Sequence, residues 1–220
     1  MKINNPQYIK TYIDRNFEFI LTQIYKCYKM MLEDYDTVEN NENKLKNRLY
    51  RDYLNNQRVR NLLGLNNFIF KTETALIDGN YNERGYSDIE VIDLKKSFYS
   101  TEASYIIECK RLDSKNPNNK KSLYRLYIEE GINRFIKEKY PSYFGVNGML
   151  GFIVEKTNIE SQFSSLINLE NYLFIENYNS SYKTEHETVT NKNVILYHLM
   201  FDFSNKISLT LKDQKKKRLN

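Results

Sequence analysis

A mixed α/β layer fold, with helices flanking a central β-sheet, is predicted by three observations on this chain of 220 residues. Apolar residues recur at helical spacing along the N-terminal stretch, the pattern of a helix with one buried face. The middle of the chain switches to strand period, in alternating runs bounded by Asn- and Gly-rich turns. Helical and strand patterns then alternate to the C-terminus, an order that builds a sheet covered by helices.

Residues 6 to 35 carry Tyr8, Tyr12, Ile13, Phe17, Ile20, Ile24, Tyr28, Met31 and Leu32 at helical spacing. They are expected to form a long amphipathic helix, an N-terminal helical extension over residues 1–36 ahead of a domain at 37–220. The polar "DTVENNEN", 36 to 43, ends it. A second helix runs to about residue 56 with Leu45, Leu49 and Tyr53 on one stripe. "FIFKTETALIDG" (68 to 79), "YSDIEVIDL" (86 to 94) and "YIIECKRL" (105 to 112) read as three strands joined by short loops, an antiparallel meander. Residues 122 to 140 read as a helix with Leu123, Leu126, Tyr127, Ile132 and Phe135 inward; Gly131 inside it asks for a close backbone contact. "GMLGFIVEK", 148 to 156, is a strand buried on both faces. A helix at 158 to 169 and strands at 171 to 178 and 193 to 203 complete the chain.

The net charge of +5 permits a polyanionic partner without requiring one. Part of the excess lies in the tail "KDQKKKRLN", 212 to 220, which reads as a solvated end. Cys27 and Cys109 form no metal or redox motif, as expected in a reducing compartment. The opening "MKINNPQYIK" lacks the apolar core of a signal peptide and no apolar run has membrane-spanning length, so no membrane association and a cytoplasmic location are expected. His186 reads as a solvated loop residue and His198 as a satisfied sheet histidine. Their separation and lack of partners argue against a zinc site.

The informative string is "YIIECKRLD". It begins as a core strand and then places Glu108 and Lys110 where apolar residues should continue. Residues two apart on a strand share a face, so these two project together while Ile107 and Cys109 point the other way. On the preceding strand Asp88 and Glu90 share one face, and Ile89 and Val91 the other. If the strands pair, Asp88 lies beside Glu108. Two carboxylates so close repel unless a cation sits between them, and Mg²⁺ accepts oxygen ligands of this kind.

This arrangement resembles the PD-(D/E)XK nuclease superfamily, the restriction-endonuclease-like fold. The residues that carry the resemblance are Asp88 in "GYSDIEV" and Glu108, Cys109 and Lys110 in "IIECKRL". Ser87 stands where the family usually has a proline. The family's helical glutamate is matched by Glu42, which shares the stripe of Leu45 and Leu49; Glu39 is a weaker match, and Glu73 reads as a strand residue facing solvent, with a further acid near the site as the alternative. The resemblance covers roughly residues 39 to 155. It implies a metal-dependent nuclease cleaving phosphodiester bonds, with DNA as the expected substrate. Asp88, Glu108 and Glu42 would hold Mg²⁺ or Mn²⁺ and Lys110 would be catalytic; Arg111 and Arg134 are the candidates for contacting nucleic acid, with plain surface charge the default reading for each. A role in restriction or phage defence follows by analogy alone. The alternatives are a non-catalytic nucleic-acid-binding or interaction subunit on the same fold, and a structural protein whose first helix forms a homodimer.

Overall fold

The computed structural model describes residues 6–77, 80–119 and 121–208, with the side chains of residues 6 to 14 outside that set. The basic tail and the last two positions of the strand expected at 68 to 79 lie outside the described residues. Among the described residues no helix is long and apolar enough to cross a membrane.

Seven described strands form one open mixed sheet. They are β1 (Phe68–Ile77), β2 (Glu83–Asp93), β3 (Ser104–Leu112), β4 (Val146–Ile153), β5 (Glu170–Asn171), β6 (Ser181–Glu187) and β7 (Asn193–Asp202), in the order β1-β2-β3-β4-β7-β6-β5. The expected meander is present, since β1, β2 and β3 pair antiparallel in sequence order. The central strands β3, β4 and β7 are parallel. Every residue of β4 is buried, as a two-faced strand requires.

The first helix, α1 (Pro6–Asp34), expected as an extension, lies on one face of the sheet. Its buried residues Phe17, Ile20, Leu21, Ile24, Cys27, Tyr28 and Met31 follow the helical stripe. Phe17 stacks on Tyr105 at 4.6 Å and Tyr28 on Phe201 at 4.3 Å. The Tyr28 hydroxyl donates to the Asp202 carbonyl at 3.0 Å, so the polar end of a buried ring is satisfied. The other face is covered from the β3–β4 crossover, α5 (Leu123–Tyr127) and α6 (Asn133–Ile136), where Tyr124, Tyr127, Ile132 and Phe135 meet Ile106, Leu112 and Met149.

Between α5 and α6 the chain widens into a π turn, Ile128–Ile132. Gly131 sits in it for a steric reason: a Cβ there would meet Met149 Cε at 2.5 Å and Lys110 Cγ at 3.7 Å. The close approach expected at this glycine is therefore present, and it presses the crossover onto the strand that carries Lys110.

The second helical stretch is α2 (Glu42–Arg48), a π turn Leu49–Leu54, and α3 (Gln57–Leu62). Asn41 caps α2 by accepting from Lys44 N at 3.0 Å. The stripe Leu45, Leu49 and Tyr53 is buried as expected. A short helix, α4 (Leu94–Ser97), lies in the β2–β3 connection.

Three expectations need correction. The helix at 158 to 169 shrinks to α7 (Ile159–Phe163), and the Ser164 hydroxyl then bonds back to the Ser161 carbonyl at 2.8 Å, competing with the helix ladder. The strand at 171 to 178 reduces to Glu170–Asn171, and Asn177 turns the chain at a φ of 57°. The next strand is instead β6, which reads as polar because two of its three buried positions are Ser181 and Thr184. His186 is thus a strand residue and not a loop residue.

What positions the candidate site is a divergence in the sheet. The β2–β3 ladder runs from Ile92↔Ser104 to Ile89↔Ile107 and stops. Beyond it β2 stays paired to β1 as far as Ile77↔Glu83, while β3 stays paired to β4 as far as Leu112↔Ile153. The β1–β2 hairpin therefore splays away from β3, and the N-terminus of α2 fills the gap.

Candidate active site

Asp88 is the first residue of β2 past the end of the ladder. Its Oδ2 accepts from the Cys109 N–H at 2.8 Å, replacing the backbone acceptor that the divergence removes. Its Oδ1 accepts from Lys46 Nζ at 3.1 Å. Glu108 and Lys110 project from β3 on the same side as Asp88, toward the crossover, as the alternation requires. The pairing of Ile89 with Ile107 sets Asp88 next to Glu108 across the gap.

Lys110 Nζ is the centre of the cluster. It donates to Glu108 Oε1 at 2.6 Å, to the Cys109 carbonyl at 2.9 Å and to Glu42 Oε1 at 3.4 Å, and lies 3.9 Å from Asp88 Oδ2. Glu42, at the start of α2, also accepts from the Arg111 N–H at 2.9 Å, which ties α2 to the end of β3. Asp88, Glu108, Glu42 and Lys110, singled out in the sequence on three elements, are therefore brought together.

Glu108 is fully buried. Besides Lys110, Arg134 Nη1 donates to its Oε1 at 3.0 Å and the Tyr140 hydroxyl to its Oε2 at 2.5 Å. Burial, with the Asp88 charge adding to it, pushes its carboxyl up to about 7 despite Lys110. Burial pulls the Lys110 ammonium down, but Glu108, Glu42 and Asp88 together hold it above its ordinary value. An excess of carboxylate contributes to both shifts, second to burial at Glu108 and outweighing it at Lys110. Glu42, Glu73, Asp88 and Glu108 face Lys46, Lys110 and Arg134, four acids against three cations.

Lys46 was not anticipated. Its side chain is 0% exposed and it bridges Asp88 and Glu73. Burial pulls its ammonium down, but the hydrogen bond to Glu73 and the charge of Asp88 raise it above its usual range. Glu73 is the residue of β1 that the register to β2 skips, and it has a φ of 53°. Positive φ is costly for a side chain of this kind and clusters at functional sites. Glu73 is thus part of the cluster through Lys46. Glu39 instead pairs with Lys44 at 3.2 Å and Arg48 at 2.6 Å, outside it.

Tyr140 was also missed. The expected helix to residue 140 ends at Ile136, and the chain then turns so that the Tyr140 hydroxyl reaches Glu108. Pro141 was the available signal, because the residue before proline avoids helical backbone. For Lys46 the signal was its position one turn after Glu42, beside the buried Leu45.

The two expected nucleic-acid contacts have other partners. Arg134 turns inward to Glu108 and Tyr140, and Arg111 Nη1 donates to the side chain of Asn40 at 2.6 Å. The histidines lie elsewhere. His198 is buried between the Tyr127 hydroxyl at 2.8 Å and the Thr184 hydroxyl at 2.9 Å, and burial lowers it to about 3. Cys27 and Cys109 are free and buried.

Among the described residues, no three His, Cys, Asp or Glu side chains are gathered closely enough to hold a metal ion; these carboxylates are spaced around an ammonium. The donor chemistry nonetheless fits a hard divalent cation. The four atoms around Lys110 Nζ are all oxygen, without nitrogen or sulfur, and the cluster has negative charge in excess. No family model, curated protein or solved structure matches the chain.

Proposed function

We propose that this protein is a metal-dependent nuclease with a restriction-endonuclease-like domain, hydrolysing phosphodiester bonds in DNA. One observation carries the reading: Asp88, Glu108 and Glu42, from a strand, its neighbour and a helix, converge on the ammonium of Lys110 where two paired strands part. A salt-bridge ladder on a sheet surface would be solvated, whereas here Glu108 is fully buried and Lys110 nearly so.

Asp88 and Glu108 would hold Mg²⁺ or Mn²⁺, with Glu42 at the wall. When bound, such an ion makes a water more acidic and offsets charge on the phosphoryl oxygens. The chain's own residues do the rest. Cys109 N–H and Lys46 fix the two oxygens of Asp88, while Arg134 and Tyr140 fix Glu108, so both acids present a set geometry. Lys110 keeps its proton, which favours an electrostatic role toward the scissile phosphate over that of a general base.

The test is incubation of purified protein with plasmid, linear duplex and single-stranded DNA in Mg²⁺, Mn²⁺ or EDTA. Cleavage in either metal and none in EDTA is the expected result. Absence of cleavage on every substrate, with no Mn²⁺ binding by calorimetry, would overturn the reading.

A further inference from the structure

Next to the cluster lies a second feature that the proposed chemistry does not use. Arg84, Lys137, Lys139 and Glu138 line an open cleft of about 370 Å³ between the splayed β1–β2 hairpin and the chain that follows α6. Its cations outnumber its acid, and that acid is engaged. Glu138 Oε1 accepts from the hydroxyls of Thr188, at 2.5 Å, and Thr190. Its carbonyl accepts from Arg84 Nη1 at 2.9 Å. Glu138 achieves this at a φ of 52°, a conformation that side-chain-bearing residues rarely adopt.

The cleft adjoins the candidate active site through the Tyr140 hydroxyl. Along β2, Tyr86 and Asp88 share one face, while the bulge at Arg84 and the φ of 126° at Gly85 break the alternation just before them. Along the other wall, Lys139 precedes Tyr140, whose hydroxyl bonds Glu108 and lies 3.1 Å from the Tyr86 carbonyl. Tyr86 is 47% exposed, with its hydroxyl held by Glu83 and its ring open to one side. A group of cations with an accessible aromatic ring beside it, next to a phosphodiesterase-type cluster, has the composition of a surface for unpaired nucleic acid.

We propose that this cleft binds the backbone of single-stranded DNA as it enters the Asp88–Glu108–Lys110 site. Arg84, Lys137 and Lys139 contact phosphates, and Tyr86 offers a stacking face to bases. The inference rests on reading that site as a nuclease, yet binding can be measured without cleavage.

The experiment is fluorescence anisotropy in EDTA, with a labelled single strand and the duplex of the same sequence, across a salt series. Wild type should bind the single strand more tightly than the duplex. The variant Arg84→Gln/Lys137→Gln/Lys139→Gln should bind at least tenfold more weakly, and the slope of log K against log salt should fall by about 2, as expected for three lost contacts to a single strand. Tyr86→Ala should weaken binding about tenfold with the salt slope kept, since stacking releases no counterions. Lys95→Gln/Lys96→Gln, on the β2–β3 connection, is the control for lost charge and should bind as wild type. All these positions are at least partly exposed, and unchanged thermal unfolding confirms folded variants. An unchanged affinity and slope in the triple variant, a loss equalled by the control, or duplex binding as tight as single-strand binding would each overturn the proposal. A wild type that binds through this cleft and cleaves nothing would refute the nuclease reading alone. Cleavage that survives with the triple variant binding normally would refute the cleft alone.

Discussion

Asp88 Oδ2 accepts a hydrogen bond from the backbone N–H of Cys109 at 2.8 Å, one residue past the point where β2 and β3 stop pairing. A side chain thereby completes a sheet that its own strands have left open. The same carboxylate holds Lys46 on its other oxygen. Asp88 is thus both a structural clasp and a member of the acidic cluster. Asp88→Ala should lose cleavage and also about 1–3 kcal/mol of stability, the usual cost of leaving buried polar groups unsatisfied. Urea unfolding checks the second effect. A variant as stable as wild type would mean that the clasp does not hold the strands.

Lys46→Met should remove the cation shared by Asp88 and Glu73. Breaking a buried pair costs more than a surface one, but Glu73 is half exposed, so a loss of about 2 kcal/mol is expected rather than the larger figures seen in closed interiors. Glu73→Gln should cost less, because Lys46 keeps Asp88. Equal destabilisation by the two changes would contradict the order of importance read here.

Glu108 gives a pH signature. Its folded value of about 7 lies above its ordinary 4.5, so the native chain keeps a proton that the unfolded chain releases between those limits. Stability from this group is therefore lost as pH rises from about 4.5 to about 7, and levels off above. The span corresponds to about 3 kcal/mol. In EDTA, Glu108→Gln should flatten this part of the stability-against-pH curve and be the more stable protein at pH 8. A wild-type curve already flat over that window would show that Glu108 stays ionised.

Gly131→Ala should cost about 1–3 kcal/mol through overpacking against Met149. Met149→Ala in the same chain should recover part of that loss, because the clashing atom is the end of a flexible side chain. No recovery would place the strain in the π turn itself.

The pattern of Asp88, Glu108 and Lys110 was legible because alternation on a strand is a strong geometric constraint, and the period of α2 set Glu42 on the right stripe. The core was legible for the same reason. What could not be read was the place where strands stop pairing, since nothing local in "GYSDIEV" marks the end of a ladder. Lys46 depends on that gap, and a lysine on a helix reads as solvated until a carboxylate from another strand is brought beneath it. Tyr140 depends on where the crossover helix ends, and element ends are set by a cap or a break that periodicity does not reveal. Strand β6 hid behind hydroxyl-bearing residues, whose burial is visible only once the β7 neighbour is in place.

The most direct test is single-turnover cleavage of DNA by wild type and Lys110→Ala, in Mn²⁺ or Mg²⁺, with metal affinity measured beside it. Lys110→Ala should keep the carboxylates and bind metal at least as well, yet cleave about 10²–10³-fold more slowly, the usual cost of one well-placed electrostatic contact. Lys110→Arg should not restore the full rate, because a planar guanidinium does not fit where a compact ammonium meets four oxygens. Cleavage by Lys110→Ala at the wild-type rate would contradict the account, and leave the charged end of β3 as a buried ion-pair network without a catalytic role.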